Sequence, residues 1–320
     1  MATQPDGGQL VTKKASEDIQ PAVATNGRIA FASDRDDNFD IFVTEPGGQG
    51  DRTQVTKNSA SDYSPAWAPG GGLLAFVSDR NGNADIFVIE ASDSAVAESV
   101  TTSRADDRDP AWSPTGVKLV FSSDRSGTYD IWIIRLGHEP RRITSGAGND
   151  FEPAWSPDGR RLAFTRRDPS GNYDIYTLNL HTGNFHRITK NPAEDSEPAW
   201  SRDGEQIAFT SDRGGDYDIY VINADGSGDV ENFSNDPALF DVSPSFKPVE
   251  PTEPTRTTGS VRTRHAPVAC DNTDFTDGDD SIVGSPADEV LCGGGGDDVI
   301  KGGGGKDTIY GDAGRDRLYG

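Results

Sequence analysis

Short runs that alternate between apolar and polar positions recur along the first 250 residues. Arg28-Ile29-Ala30-Phe31-Ala32, Arg161-Leu162-Ala163-Phe164 and Gln206-Ile207-Ala208-Phe209-Thr210 are examples. A period of two over four to six residues predicts strands rather than helices. Each run stands in the same setting. Ahead of it lies a short strand carrying Ala-Trp, and a Pro-Asp-Gly-type turn such as Pro157-Asp158-Gly159 joins the two. Behind it a tight turn leads to Asp-Ile-aromatic: Asp40-Ile41-Phe42, Asp85-Ile86-Phe87, Asp130-Ile131-Trp132, Asp174-Ile175-Tyr176 and Asp218-Ile219-Tyr220. A fourth strand then ends in Val-Thr or Ile-Thr, as at Val55-Thr56, Ile143-Thr144 and Ile188-Thr189.

The unit has a fixed length. Its reference proline falls at Pro21, Pro65, Pro110, Pro153, Pro198 and Pro244, so the spacings are 44, 45, 43, 45 and 46 residues. Self-similarity at about 40–45 residues, with four short antiparallel strands per copy, predicts propeller blades, each too small to bury its own faces. Five complete strand-two/strand-three hairpins are present, with partial blades at either end of residues 1–248. Val11-Thr12-Lys13 through Pro21 aligns with Val55-Thr56-Lys57 through Pro65, so the chain opens on the last strand of a blade. Either residues 1–20 close the ring with strands from its far end, or upstream strands are missing. The lack of an apolar leader in Met1 to Asp18 favours truncation.

From 249 to 269 the pattern stops in a Pro- and Thr-rich linker. Over 270–320 the period becomes nine. Residues 275–283, 284–292, 293–301, 302–310 and 311–319 align without a gap, and Gly320 would begin another copy, so the array reads as incomplete. Residues 293–301 and 302–310 fit G-G-x-G-x-D-x-U-x at every defined position. Glycines let a loop adopt positive φ and turn carbonyl oxygens inward. A carboxylate at the sixth position adds a hard ligand of the kind Ca²⁺ gathers in sets of six to eight oxygens. The eighth position (Ile282, Leu291, Ile300, Ile309, Leu318) is apolar and fills a thin core.

This segment resembles the RTX, or haemolysin-type, calcium-binding repeat. The resemblance implies a parallel β-roll with two nonapeptides per turn and Ca²⁺ between loops eighteen residues apart. It assigns Asp298 with Asp316, Asp280 with Asp298, and a weaker pairing of Glu289 with Asp307, served by Gly293, Gly295, Gly302, Gly304 and Gly311. Without calcium the segment is expected to be disordered, because its carboxylates repel one another and its core is small.

The larger repeat, with Pro-Ala-Trp-Ser-Pro-Asp-Gly, Ser-Asp-Arg and Asp-Ile-Tyr, resembles the TolB-type propeller, a WD-repeat-like family. The fold class is therefore all-β: a TolB-like propeller, six-bladed in the intact protein, followed by a parallel β-roll. The resemblance implies protein partners at the mouth of the central channel. Related propellers also occur in peptidases and lyases, so fold alone fixes no activity. An aspartate stands three residues before each reference proline: Asp18, Asp62, Asp107, Asp150, Asp195 and Asp241. Acids stand directly before it in three copies, Asp109, Glu152 and Glu197. A ring of carboxylates around the pore could hold a cation or a basic peptide. The bland alternative is that each repeated Asp bonds its own turn. The less regular Asp109, Glu152 and Glu197 are the better candidates for a specific contact. The Ser-Asp-Arg set reads as turn hydrogen bonding, and Trp67, Trp112, Trp155 and Trp200 as inter-blade core.

Composition narrows the partners. With 53 acidic against 30 basic residues the net charge is −23, which argues against nucleic acid and anionic membranes and allows cations or basic partners. No apolar run approaches the ~18 residues of a membrane span. Cys270 and Cys292 would pair in an oxidising compartment and be free thiols in the cytosol. There is no nucleophile elbow, His-Glu-x-x-His or phosphate loop. His138, His181, His186 and His265 form no ligand set. The sequence thus reads as a non-enzymatic, secreted or surface-exposed bacterial protein, extracellular or periplasmic. It would bind Ca²⁺ through its tail and an unknown protein or basic peptide through its propeller. The alternative is the non-catalytic propeller portion of a larger secreted hydrolase or lyase.

Overall fold

The computed structural model describes residues 17–35, 37–46, 52–92, 96–234 and 241–244, and five short strands between 281 and 319. They belong to two units, the repeat region and the nonapeptide segment.

The repeat region is built from five four-stranded antiparallel meanders. The first comprises β1 (Asp18–Val23), β2 (Ile29–Ser33), β3 (Asp40–Thr44) and β4 (Thr53–Gln54). The second comprises β5 (Asp62–Trp67), β6 (Leu73–Ser78), β7 (Asp85–Glu90) and β8 (Glu98–Ser99). Then come β9 (Asp107–Trp112), β10 (Lys118–Ser123), β11 (Asp130–Arg135) and β12 (Arg141–Arg142). The fourth blade holds β13 (Asn149–Trp155), β14 (Arg161–Arg167), β15 (Tyr173–Asn179) and β16 (Phe185–Arg187). The fifth holds β17 (Asp195–Trp200), β18 (Gln206–Ser211), β19 (Asp218–Asn223) and β20 (Glu231–Asn232). These are the blades expected from the period. The segments that would supply a sixth, 1–16 and beyond 244, lie outside the described residues.

The second and third strands are buried on both faces because a neighbouring blade covers each side. Phe76, Phe121, Phe164 and Phe209 are wholly buried, as are Ile41, Ile86, Ile131 and Ile175. Each such side chain contributes roughly 1.5–3 kcal/mol of burial. Alanines between them (Ala30, Ala32, Ala75, Ala163) let the sheets approach. The threonine ending the fourth strand ties it to the third: Thr56 Oγ1 accepts from Ile41 N at 2.9 Å and donates to Asp40 at 3.0 Å. The same bonds recur at Thr101 with Ile86 and Asp85, and at Thr189 with Ile175 and Asp174.

The innermost strand carries an irregularity that matters for function. Its pairing with the second strand slips in every blade, for example between Phe151 and Ala154 and between Ser196 and Ala199. The residue before the reference proline sits in the bulge with φ between 50° and 54° at Gln20, Ser64, Asp109, Glu152 and Glu197, and Ser243 before Pro244 has the same backbone at φ 56°. Left-handed backbone is uncommon for non-glycine residues, and here the bulge re-aims the side chain.

In the nonapeptide segment, β21 (Ser281–Val283), β23 (Val299–Lys301) and β25 (Arg317–Tyr319) form one parallel sheet, and β22 (Val290–Cys292) pairs with β24 (Thr308–Tyr310) in another. The register is Ser281↔Val299↔Arg317 and Val290↔Thr308. Partners are therefore eighteen residues apart, the two-nonapeptide turn of a β-roll. Leu291 and Ile300 are buried, as eighth-position residues should be.

Candidate functional site

The innermost strands line a central channel. A cavity of about 620 Å³ runs along it, walled mainly by the Pro-Ala-Trp triplets of the second to fifth blades and by Pro21-Ala22-Val23 of the first. A second cavity of about 280 Å³ lies at the end where the innermost strands begin, lined by residues of the fourth and fifth blades together with Val242. Glu152 and Glu197 line both, so these carboxylates form the waist between them.

Each waist residue reaches from its own blade to the next. Glu152 Oε2 accepts from Glu197 N at 2.8 Å and from Thr165 Oγ1 at 2.7 Å. Glu197 Oε2 accepts from Ser243 N at 2.7 Å and from Thr210 Oγ1 at 2.8 Å. Asp109 Oδ2 accepts from Ser122 Oγ at 2.7 Å and from Glu152 N at 3.4 Å, and Gln20 Oε1 takes Ser64 N at 2.9 Å. The bulge is what makes this belt possible: it aims an acceptor along the ring at the amide of the next bulge. Desolvation, then the neighbouring Asp109 charge, raises the Glu152 carboxyl from 4.5 to about 7. Desolvation likewise raises Asp109. Among the described residues no three acids, histidines or cysteines converge as ligands for one metal ion.

The regularly repeated aspartates are placed elsewhere. Asp62, Asp107, Asp150 and Asp195 are buried inside their blades and paired with arginines: Arg80 at 3.0 Å, Arg125 at 2.7 Å, Arg166 at 2.6 Å and Arg213 at 2.7 Å. Asp18 pairs with Arg35 at 2.6 Å. Each guanidinium also lies over at least two rings of its blade. Arg80 is 4.4 Å from the Phe87 centroid and 5.5 Å from Phe76; Arg125 is 4.7 Å from Trp132 and 5.4 Å from Phe121. Ser-Asp-Arg is thus a three-part clasp. Its Ser accepts from the Arg Nε (2.8 Å at Ser78), and its Asp accepts the amide just before the inner strand (Asp79 from Ser61 N, 2.9 Å). In the fourth blade Arg166 stands opposite Asp150 in the strand register and does the same work from within the strand.

Three channel tryptophans link successive inner strands: Trp67, Trp155 and Trp200 donate to the carbonyls of Ala22, Ala111 and Ala154 at 3.1, 3.2 and 3.1 Å. The residues assigned to calcium (Asp280, Asp298, Asp307, Asp316 and glycines 293, 295, 302, 304 and 311) lie outside the described residues. So do Cys270 and the side chain of Cys292, which leaves the disulfide expectation there too. The strand register repeats every eighteen residues on both sheets, as expected for a β-roll.

A β-propeller whose blades are clasped by Asp-Arg-aromatic sets, followed by a parallel β-roll, is the class these features define. A sequence model of the TolB beta propeller domain matches residues 97–171 and 167–250, and one of the RTX calcium-binding nonapeptide repeat (4 copies) matches 276–300 and 293–320. The chain carries a TolB β-propeller domain followed by RTX calcium-binding nonapeptide repeats. Its fold is shared with TolB from Acinetobacter baumannii, 23% identical over 69% of this chain and 56% of that one, with a TM-score of 0.61. Kuenenia stuttgartiensis hydrazine synthase is 16% identical over 71% of this chain and 40% of that chain, at 0.60. A Mycobacterium tuberculosis puromycin-hydrolyzing peptidase is 14% identical over 85% and 47%, at 0.55. The chain thus spans little more than half the A. baumannii TolB, and at these identities the likeness is one of fold. No curated protein matches the chain. No described helix is long and apolar enough to cross a membrane.

Proposed function

We propose that this is an extracytoplasmic, non-enzymatic calcium-binding protein: the nonapeptide segment binds Ca²⁺, and the propeller channel serves as a platform for a protein or peptide partner. The observation that carries the calcium reading is the parallel register of the five short strands, in step with the repeat that the RTX model matches. In the sequence Asp280, Asp298 and Asp316 each directly precede a strand of one sheet, and Glu289 and Asp307 a strand of the other, so the proposal assigns them to two rows. Bound Ca²⁺ would supply the positive charge that lets stacked carboxylates and loop carbonyls lie close together. Because ligand binding only to the ordered form adds to its stability, the segment should gain order with calcium.

Asp298 is shared by both pairs of its row, so Asp298→Asn should weaken two sites with one change. A calorimetric Ca²⁺ titration of the full chain should show saturable binding, and the variant should bind at least about tenfold more weakly at those sites, a loss of ~1.4 kcal/mol. Far-ultraviolet circular dichroism should gain strand signal on calcium addition in the wild type. Unchanged titration curves for the two proteins would sink the assignment.

The platform reading is supported by the channel's apolar wall and acidic waist, and by the net negative charge, which favours cationic partners.

A further inference from the structure

The second cavity lies beside a position that the third and fifth blades fill differently. In the third and fifth blades three positions near the start of the inner strand can be compared: the residue before the first Asp, the residue after it, and the residue before Asp-Ile. In the third blade these are Asp106, Arg108 and Tyr129. Arg108 donates to Asp106 Oδ2 at 2.9 Å, and its guanidinium lies beside the phenols of Tyr129 and Tyr63. In the fifth blade the same positions are Glu194, Ser196 and Tyr217. The carboxylate and the phenol are kept, and Tyr217 donates to Glu194 at 2.7 Å. Where the third blade has arginine the fifth has serine, and the other blades carry Ile19, Tyr63 and Phe151 there.

Beside Ser196 lies the cavity of about 280 Å³. Ser196 lines it, with the rings of Phe151, Tyr173 and Tyr217 as walls, Glu194 at its rim and Glu152 and Glu197 at its floor. Phe151 is held in place by Tyr129, with ring centroids 5.0 Å apart. Among the described residues no cationic side chain lines it. Arg35, Arg80, Arg125, Arg166 and Arg213 are all engaged within their blades. Aromatic faces attract cations through their quadrupole, and the attraction grows when the cation is desolvated. Carboxylates beside such rings match the planar fork of a guanidinium in particular.

We propose that this mouth pocket receives an arginine side chain of a partner polypeptide, in the place that Arg108 fills from within two blades away. The proposal rests on the platform reading above and gives it a ligand chemistry: the partner presents an exposed arginine, whose aliphatic stem lies on Phe151 and Tyr173 while the guanidinium reaches Glu194 and the waist.

The test uses Nα-acetyl-L-arginine amide and its neutral isostere Nα-acetyl-L-citrulline amide, each titrated against the full chain by saturation-transfer NMR. The arginine compound should bind saturably and the citrulline compound at least tenfold more weakly. Ser196→Arg should fill the pocket with the chain's own side chain and abolish arginine binding, while circular dichroism and the melting temperature show an intact fold. Glu194→Gln, at an exposed rim position, should weaken arginine binding severalfold without affecting folding. If arginine and citrulline compounds bind equally and Ser196→Arg removes both, the pocket is a site for uncharged groups: the platform reading stands and the arginine assignment falls. Arginine binding that survives in a folded Ser196→Arg protein, or no binding of either compound, overturns the pocket itself.

Discussion

Arg125→Ala should destabilise the propeller by about 3–5 kcal/mol at neutral pH, the usual cost of leaving a buried charge without its partner. The reason lies in how Asp107 is held. Its side chain is wholly buried, Oδ1 has no hydrogen-bond partner, and Oδ2 is held by Arg125 at 2.7 Å. Truncating Arg125 also removes the ring contacts to Trp132 and Phe121 and the bond to Ser123. The exposed pair in the same blade gives the contrast. Arg108 and Asp106 are separated by 2.9 Å, but their side chains are 44% and 33% exposed, so Arg108→Ala should cost only about 0–1 kcal/mol. Urea denaturation of the two variants separates the cases. Equal, small shifts would mean that the clasp is not a structural element. Replacing both clasp partners by apolar residues, Asp107→Leu with Arg125→Met, should recover much of the loss, because a well-packed apolar pair carries no desolvation cost.

The clasp also marks the limit of what the linear pattern discloses. Asp107 and Arg125 are each visible as repeated residues, and each is naturally assigned to its own turn. Their pairing depends on the register of two strands: Asp107 starts the inner strand, and Arg125 lies two residues past the end of the second, opposite it. Blade four shows how weakly sequence spacing encodes this, since the partners there are Asp150 and Arg166, sixteen residues apart rather than eighteen. The blades themselves were legible because period two, Pro-Asp-Gly-type turns and Asp-Ile-aromatic all specify local backbone. The β-roll was legible for a similar reason: nine residues return the chain to an equivalent position, and the observed partners are two such periods apart. The waist was half legible. The acids at 109, 152 and 197 stood out, but nothing in their residue types announces a left-handed bulge, a conformation usually signalled by glycine. Without the bulge they read as free carboxylates at a pore. With it they are acceptors aimed at the next blade. The mouth pocket was not legible at all, because its lining comes from two blades and a lone Ser196 carries no signal in the linear pattern.

Glu152→Gln should stabilise the protein by about 2 kcal/mol at pH 8 and leave it nearly unchanged at pH 5. Desolvation first, then the charge of Asp109, raises the Glu152 carboxyl in the folded state to about 7 from 4.5. The folded form therefore holds this proton more tightly than the unfolded chain does. Its contribution to stability is fully present below about 4.5 and is lost as pH rises through about 7, so the wild-type protein should weaken across that window. The groups facing Glu152 act in both directions. Asp109 and Glu197 repel its charge, while Thr165 Oγ1 and Glu197 N hydrogen-bond to it and favour it. The neutral amide keeps an oxygen for both donors and removes the charge, so it erases the loss at high pH while preserving the inter-blade bond. A full shift of this size would correspond to roughly 3 kcal/mol, and contact with channel water reduces it to the lower figure. Asp109 is raised as well, so the fall in stability should be spread over more than one proton and be broader than a single titration. Melting temperatures of wild type and variant measured from pH 5 to pH 8.5 provide the check. Parallel curves would show that Glu152 is not the group responsible. Curves that coincide at pH 5 and diverge above pH 6, with the variant higher, would show that the belt joining the blades carries a charge the fold tolerates at a cost. On the platform reading proposed above, an acid retained against stability would be available to a cationic partner, and neutralising it would exchange that contact for a tighter ring.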